Sequence, residues 1–335
     1  MSSVHAPTLD LCGIGNAIVD VLAPVAAGFA ESQGLVPGSM TLVDTARAGV
    51  LGGLIRPVQH TSGGSVANSC VVAQRLGARV AYLGKVAADE AGAHFRRDIE
   101  AAGIAFPSAP LPADDPQGRA TARCIILVTP DGGRTMNTYL GACTAFDEAD
   151  VLAEIVQSAR FTYLEGYLFD PPAAQRAFHR ASLLARQAGR KVALSLSDPF
   201  CVGRHRDAFR ALVAGGAGVD ILFANQDEIL SLYETNDFEQ AAAQASADVE
   251  IAVLTRASAG SVIATGAERI QVAAAPTRVV DTTGAGDAYA AGFLAGLVAG
   301  APLAECGRIG AVASSEVISH FGARPQADLR KLAGL

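Results

Sequence analysis

The phosphate-binding loop GxxxxGK[ST] is missing from all 335 residues, which excludes a Walker-type NTPase. Paired cysteines are missing too. Cys12, Cys70, Cys124, Cys143, Cys201 and Cys306 form no CxxC and stand at no zinc spacing with histidine, so reduced, mostly buried thiols are expected. His60, His94, His179, His205 and His320 show no metal or triad spacing and are assigned no role. Cations are short: 26 Lys and Arg against 33 Asp and Glu leave a formal net charge of −7, which argues against a nucleic-acid-binding surface. The longest uncharged stretch, Ala288 to Ala304, is broken by glycines and Pro302 and suits a buried helix rather than a membrane span. Met1 to Leu11 has neither a basic start nor an apolar core of signal length, so a cytoplasmic location is expected. No repeat or low-complexity segment stands out.

What is present is apolar: 50% of residues are hydrophobic and 18% charged, enough for a sizeable core in one large α/β domain or two ordinary ones. Short β-type runs alternate with alanine-rich helical segments, which predicts a mostly parallel sheet covered on both faces. Core strands are expected at Leu9–Gly13, Arg79–Leu83, Phe161–Glu165, Lys191–Ser195, Ile221–Ala224, Ile251–Thr255 and Ser261–Thr265. Between them lie helices at Ser65–Leu76, Ala91–Ala102, Pro172–Ala188 and Asp237–Ser246. Two regions break the rhythm. Gly38–Val43 and Thr121–Leu140 suggest antiparallel strands, the second with a Thr129-Pro130-Asp131-Gly132-Gly133 turn.

The most telling stretch is Val280-Asp281-Thr282-Thr283-Gly284-Ala285-Gly286-Asp287, followed by a glycine-rich apolar helix. Glycines let backbone N–H groups crowd around an anion, and a helix N-terminus adds its positive dipole end. A carboxylate at Asp287, one turn into that helix, sits beside the anion. It suits the activation of a hydroxyl about to attack a phosphoryl group. The alternative is a tight loop with Asp287 as a helix-end charge. Near the other end, Gly13-Ile14-Gly15-Asn16 begins like a dinucleotide fingerprint, but Ile18 holds the third glycine position and a Rossmann site is discounted.

The 280–287 run resembles the C-terminal signature of the ribokinase (pfkB) family of carbohydrate and nucleoside kinases. Gly63-Gly64-Ser65-Val66-Ala67-Asn68, with Leu76-Gly77, Gly84, Asp89 and Gly92, resembles the N-terminal one. The similarity runs from about Leu9 to Pro325, and its detail is nearest to adenosine kinase-like members. It implies a ribokinase-like α/β fold: a mostly parallel central sheet with helices on both faces and a discontinuous β lid. The lid is expected from residues 16–62 and 105–141, and the large nucleotide-binding part from 63–104 and 142–335.

The resemblance also implies roles. ATP with Mg²⁺ is the expected phosphoryl donor. Asp287 is the expected base, and Gly284, Ala285 and Gly286 supply N–H groups to the transferred phosphoryl. Asn225 and Glu228 resemble the family's NxxE motif and are expected to hold hydrated Mg²⁺, with a helix-capping role as the plain alternative. Arg134 resembles a lid arginine reaching the phosphate. Thr283, Thr255 with Gly260, and Ala311 are expected around the nucleotide, although Ala257 stands where the family often has glycine. Asp281 keeps a monovalent cation, K⁺, open. On the acceptor side Asn16, Asp20, Gly63, Gly64, Asn68 and Tyr167 are expected to bind sugar or base. Met40, Leu140 and Phe169 are further slot candidates, and Arg119 and Arg123 keep a carboxylate clamp open. The leading expectation is phosphorylation of adenosine to AMP. A sugar kinase acting on fructose, ribose or a keto-deoxy sugar acid is the first rival, and a non-catalytic nucleoside or sugar sensor the second. The expected partner is a small molecule, with no nucleic acid or membrane, on a monomer or homodimer.

Overall fold

The computed structural model describes residues 6–214, 218–266 and 268–335. Thirteen strands form among them: β1 (Leu9–Ile14), β2 (Ile18–Pro24), β3 (Met40–Leu42), β4 (Gln59–Gly63), β5 (Val80–Leu83), β6 (Ala122–Val128), β7 (Arg134–Tyr139), β8 (Ala159–Glu165), β9 (Lys191–Ser195), β10 (Ile221–Asn225), β11 (Ile251–Thr255), β12 (Ser261–Ala264) and β13 (Arg269–Val272). They make an eight-stranded sheet in the order β13-β12-β11-β10-β9-β8-β1-β5 and a five-stranded sheet in the order β3-β7-β6-β2-β4. In the large sheet β5, β1, β8, β9, β10 and β11 run parallel, and β12 and β13 extend it antiparallel.

Alternation along each strand sends side chains to two cores. In β10, Ile221 and Phe223 join the core under helices Ser65–Arg75, Ala285–Val298 and Leu303–Val317. Leu222 and Ala224 join the other, under helices Pro172–Gln187, Gln226–Tyr233 and Phe238–Asp248. The large sheet is thus a mostly parallel α/β sheet with helices on both faces, the arrangement that the ribokinase-like resemblance implies. Among the described residues no helix is long and apolar enough to cross a membrane. All six cysteines are free and buried, and burial pushes the Cys12 and Cys124 thiols up to about 12.

The small sheet corrects one expectation. β6 and β7 form the antiparallel hairpin, closed by Gly132 N–H on the Thr129 carbonyl at 2.8 Å with Gly132 at φ 85°. However, β3 runs parallel to β7, and β2 parallel to β6. These partners are far apart in sequence, so no tight turn dictates an antiparallel pairing. Val19, Val21, Ile125 and Leu127 pack against Leu51 and Ile55 on one face. The opposite face carries Ile18, Asp20, Cys124, Ile126, Met136 and Thr138, and it looks onto the large sheet.

Candidate active site

The C-terminal ends of β1, β8, β9, β10 and β11 and the inner face of the small sheet enclose one cavity of about 850 Å³. The open ends of parallel strands are where α/β sheets bind ligands, because helix N-termini and unpaired polar groups collect there.

Gly284 adopts φ 79° and starts helix Ala285–Val298, and no side chain caps the helix. Ala288 N–H makes the first intrahelical bond, to the Gly284 carbonyl at 2.8 Å. The N–H groups of Gly286 and Asp287 consequently face the cavity end without a backbone partner. Ala285 does not share the role expected for it, since its N–H already closes a turn on the Thr282 carbonyl at 3.2 Å. Asp287 itself is half-buried. Ser65 Oγ donates to its Oδ1 at 2.5 Å and Asn68 Nδ2 to its Oδ2 at 3.4 Å. Burial pushes its carboxyl up to about 6, against the pull of those two donors.

Asp281 belongs to the loop's scaffold. Its Oδ1 accepts from Thr283 N at 3.1 Å and Thr283 Oγ1 at 2.7 Å. Its Oδ2 accepts from Gly322 N at 2.8 Å and meets Arg134 Nη2 at 3.0 Å. The Arg134 guanidinium is thus the counter-charge of this carboxylate among the described residues. The same pair corrects Arg134, which is committed to Asp281 and does not line the cavity.

At the acceptor end Asn16 and Asp20 line the cavity with Gly64, Asn68 and Tyr167. Asp20 has no hydrogen-bond donor among the described residues. Burial pushes its carboxyl up to about 7, partly opposed by the charges of Arg324 and Arg134. Gly63 lies behind it, where a Cβ would come within 2.2 Å of Asp20 Oδ2, so that glycine makes room for the aspartate and not for a ligand. Gly64 adopts φ 104° against the Asn16 carbonyl. Phe169 is fully buried against Phe178 and Phe209 and belongs to the core, whereas Met40, Leu140 and Tyr167 do line the cavity. Arg119 is spent on Asp115 at 2.7 Å, and Arg123 lies on the far side of β6 from Cys124 and Ile126.

Sequence reasoning missed Glu165. It is 1% exposed, and its Oε1 accepts from Asn16 Nδ2 at 2.7 Å while Oε2 accepts from Val66 N at 2.9 Å. Its carboxyl is pushed up to about 7 by burial. A carboxylate at the C-terminal end of an apolar strand, just before Gly166, was the available signal.

At the remaining end Asn225 and Glu228 form a capping box: Asn225 Oδ1 accepts from Glu228 N, and Glu228 Oε2 from Asn225 N, both at 2.9 Å. Both also line the cavity, as do Thr255 and Thr283. Burial pushes Glu228 up to about 7. Among the described residues no three His, Cys, Asp or Glu side chains gather as a metal cluster. A hydrated Mg²⁺ fits this end, since it keeps its waters and takes few protein ligands. Gly260 and Ala311 fall away from the cavity. Gly260 caps the short turn Ala257–Ala259 at φ 82°, and Ala311 packs in the core. Ala257 lines the cavity in their place, at φ 49°.

Residues 36–329 match the pfkB family of carbohydrate kinases. The chain belongs to that family. It is 45% identical to adenosine kinase from Sinorhizobium meliloti, with a TM-score of 0.88 over 97% of this chain and 98% of that one. It is 43% identical to a probable sugar kinase from Rhizobium etli CFN 42, with a TM-score of 0.90 over 98% of each. A nucleoside kinase of Methanothermobacter thermautotrophicus is 29% identical over 80% of this chain and 82% of its own. As a pfkB kinase the protein is a phosphotransferase acting on a hydroxyl group, and the family implies ATP as donor.

Proposed function

We propose that this pfkB kinase phosphorylates the primary hydroxyl of a purine nucleoside, converting adenosine to AMP. One observation carries the reading: the acceptor end joins an unpaired carboxylate, Asp20, to an apolar slot of Ile18, Met40, Leu42, Ile126, Met136 and Leu140. A ribose offers two neighbouring hydroxyls to Asp20, and a flat base fills the slot. Arg204 is the one cationic side chain among the lining residues, and it is engaged by Asp170 at 3.0 Å. A sugar acid lacks its counter-charge here. The likeness to an adenosine kinase over nearly the full chain supports the same choice.

In this reading Asp20, Asn16 and Asn68 orient the ribose so that its primary hydroxyl meets Asp287. The Gly286 and Asp287 N–H groups hold the phosphoryl oxygens at the helix N-terminus and stabilise charge as transfer proceeds. Asp287 accepts the hydroxyl proton late in a loose transition state. Glu228 and Asn225 would hold hydrated Mg²⁺, which would neutralise charge at the triphosphate.

A panel of nucleosides, ketoses and sugar acids assayed with MgATP tests the proposal. Saturable, ATP-dependent conversion of adenosine to AMP is expected. Turnover of hexoses or sugar acids alone overturns it.

A further inference from the structure

Three side chains on one face of helix Ser65–Arg75 reach Asp287, each at a different atom. Ser65 Oγ donates to Oδ1 at 2.5 Å, Asn68 Nδ2 approaches Oδ2 at 3.4 Å, and Ser69 Oγ donates to the Asp287 carbonyl at 3.0 Å. The spacing i, i+3, i+4 places all three on adjacent turns. The two carboxylate oxygens are therefore unequal. Oδ1 is held by a short hydroxyl bond, whereas Oδ2 has only a long amide contact that a substrate hydroxyl can displace.

We propose that Ser65 is a positioning residue for the base: its hydroxyl fixes Asp287 Oδ1, leaves Oδ2 for the substrate proton, and keeps the carboxylate ionised near neutral pH. The assignment rests on the kinase reading above. The surroundings explain why a donor is needed. Asp20 from β2, Glu165 from β8 and Glu228 from helix Gln226–Tyr233 face the same cavity, and the Asp287 charge helps push their carboxyls up, so none of them offers it a counter-charge. The hydroxyls of Tyr163 and Tyr167 are pushed up, partly by Asp287 itself, and stay protonated. No Lys or Arg bonds to Asp287 among the described residues, so the Ser65 and Asn68 donors are what oppose its burial.

The test is a pH profile of Ser65→Ala beside wild type and Ser65→Thr, with adenosine and saturating MgATP. A carboxylate that loses a donor holds its proton to higher pH. The acid limb of kcat in Ser65→Ala is expected to rise by about one pH unit. The kcat deficit is expected to be about tenfold near pH 6 and a few-fold above pH 8, with KM for adenosine changed less than about threefold. Ser65→Thr keeps a hydroxyl and is expected to restore most of the profile. The ¹³C carboxyl titration of Asp287 in the ligand-free protein, assigned with Asp287→Asn, is expected to show the same upward shift. Should Ser65→Ala fail to fold, Ser65→Cys provides a weaker donor and a smaller shift. An unmoved acid limb and titration, or a loss confined to KM, overturns the assignment while leaving the kinase reading intact. A wild type that phosphorylates nothing in the panel overturns both.

Discussion

Arg134, the first residue of β7, and Asp281, at the head of the anion loop, form a 3.0 Å ion pair with only 10% and 6% of their side chains exposed. The Arg134 guanidinium also lies 5.3 Å from the centre of the Phe321 ring, next to the Gly322 N–H that Asp281 accepts. The pair ties the small sheet to the loop that holds Asp287. Removing one partner strands a buried charge, which costs about 3–5 kcal/mol in comparable sites. Arg134→Ala is expected to lower stability by about 2–4 kcal/mol in urea denaturation, since three other donors still serve Asp281. The double variant with Asp281→Asn is expected to lose less than the sum of the singles, by about 1–3 kcal/mol. Strict additivity would show that the two charges do not act together.

Asp287 links activity to stability through its proton. Its carboxyl stands near 6 in the fold against a reference of 3.8, so between those values the native state holds the proton that the unfolded chain releases. Stability from this group is present at low pH and lost as pH rises through that window. Asp287→Asn carries no such charge. Its melting temperature is expected to exceed wild type at pH 7, with the difference closing near pH 4. Its kcat is expected to fall by roughly 10²–10⁴ with adenosine binding little changed. Undiminished turnover removes Asp287 as base.

Seven of the eight strands of the large sheet were legible as short apolar runs, and in β8, β10 and β11 the run ends in a polar residue, Glu165, Asn225 and Thr255; β13, Arg269–Val272, alternates polar and apolar residues and was not expected. The anion loop was legible because glycines at 284 and 286 and a carboxylate at 287 are contiguous. Contacts across the chain were not. Arg134 meets Asp281, and Ser65 meets Asp287 over 222 positions, and local pattern carries no record of either. Phe169 and Tyr167 look alike in sequence, yet one turn of chain after β8 buries the first and turns the second to the cavity. Gly63 looked like a ligand's clearance and proved to be Asp20's.

Glu165 couples two walls of the acceptor end, Asn16 after β1 and Val66 at the start of helix Ser65–Arg75. Glu165→Leu leaves the Asn16 and Val66 donors buried without acceptors, each costing about 1–3 kcal/mol. Glu165→Gln keeps one acceptor and is expected to be milder. In steady-state assays of the gentler variant, KM for adenosine is expected to rise about tenfold while KM for ATP stays within about twofold. Equal effects on both substrates would point to a general loosening of the fold.

Ala257 sits at φ 49° on the cavity wall, a left-handed conformation that costs an L-residue about 1–2 kcal/mol. Glycine takes that conformation freely but gives back some unfolded-state entropy. Ala257→Gly is therefore expected to raise stability by up to about 1 kcal/mol, read from the urea midpoint. A drop of that size instead would mean that the alanine methyl packs more favourably than its backbone is strained.

Asp20 gives the sharpest check on the acceptor, because its carboxylate faces the cavity without a donor among the described residues and Gly63 clears the space behind it. If it binds the ribose hydroxyls, wild type is expected to turn over 2′-deoxyadenosine with kcat/KM lower by about tenfold or more than adenosine, since a hydrogen bond to a charged group is worth about 1.5–3 kcal/mol. Asp20→Ala loses that bond with either substrate. Its kcat/KM is expected to be low for both nucleosides, with the ratio between them reduced to about twofold. A ratio that survives in Asp20→Ala places the sugar elsewhere in the cavity, and Asn16 and Asn68 then become the residues to vary.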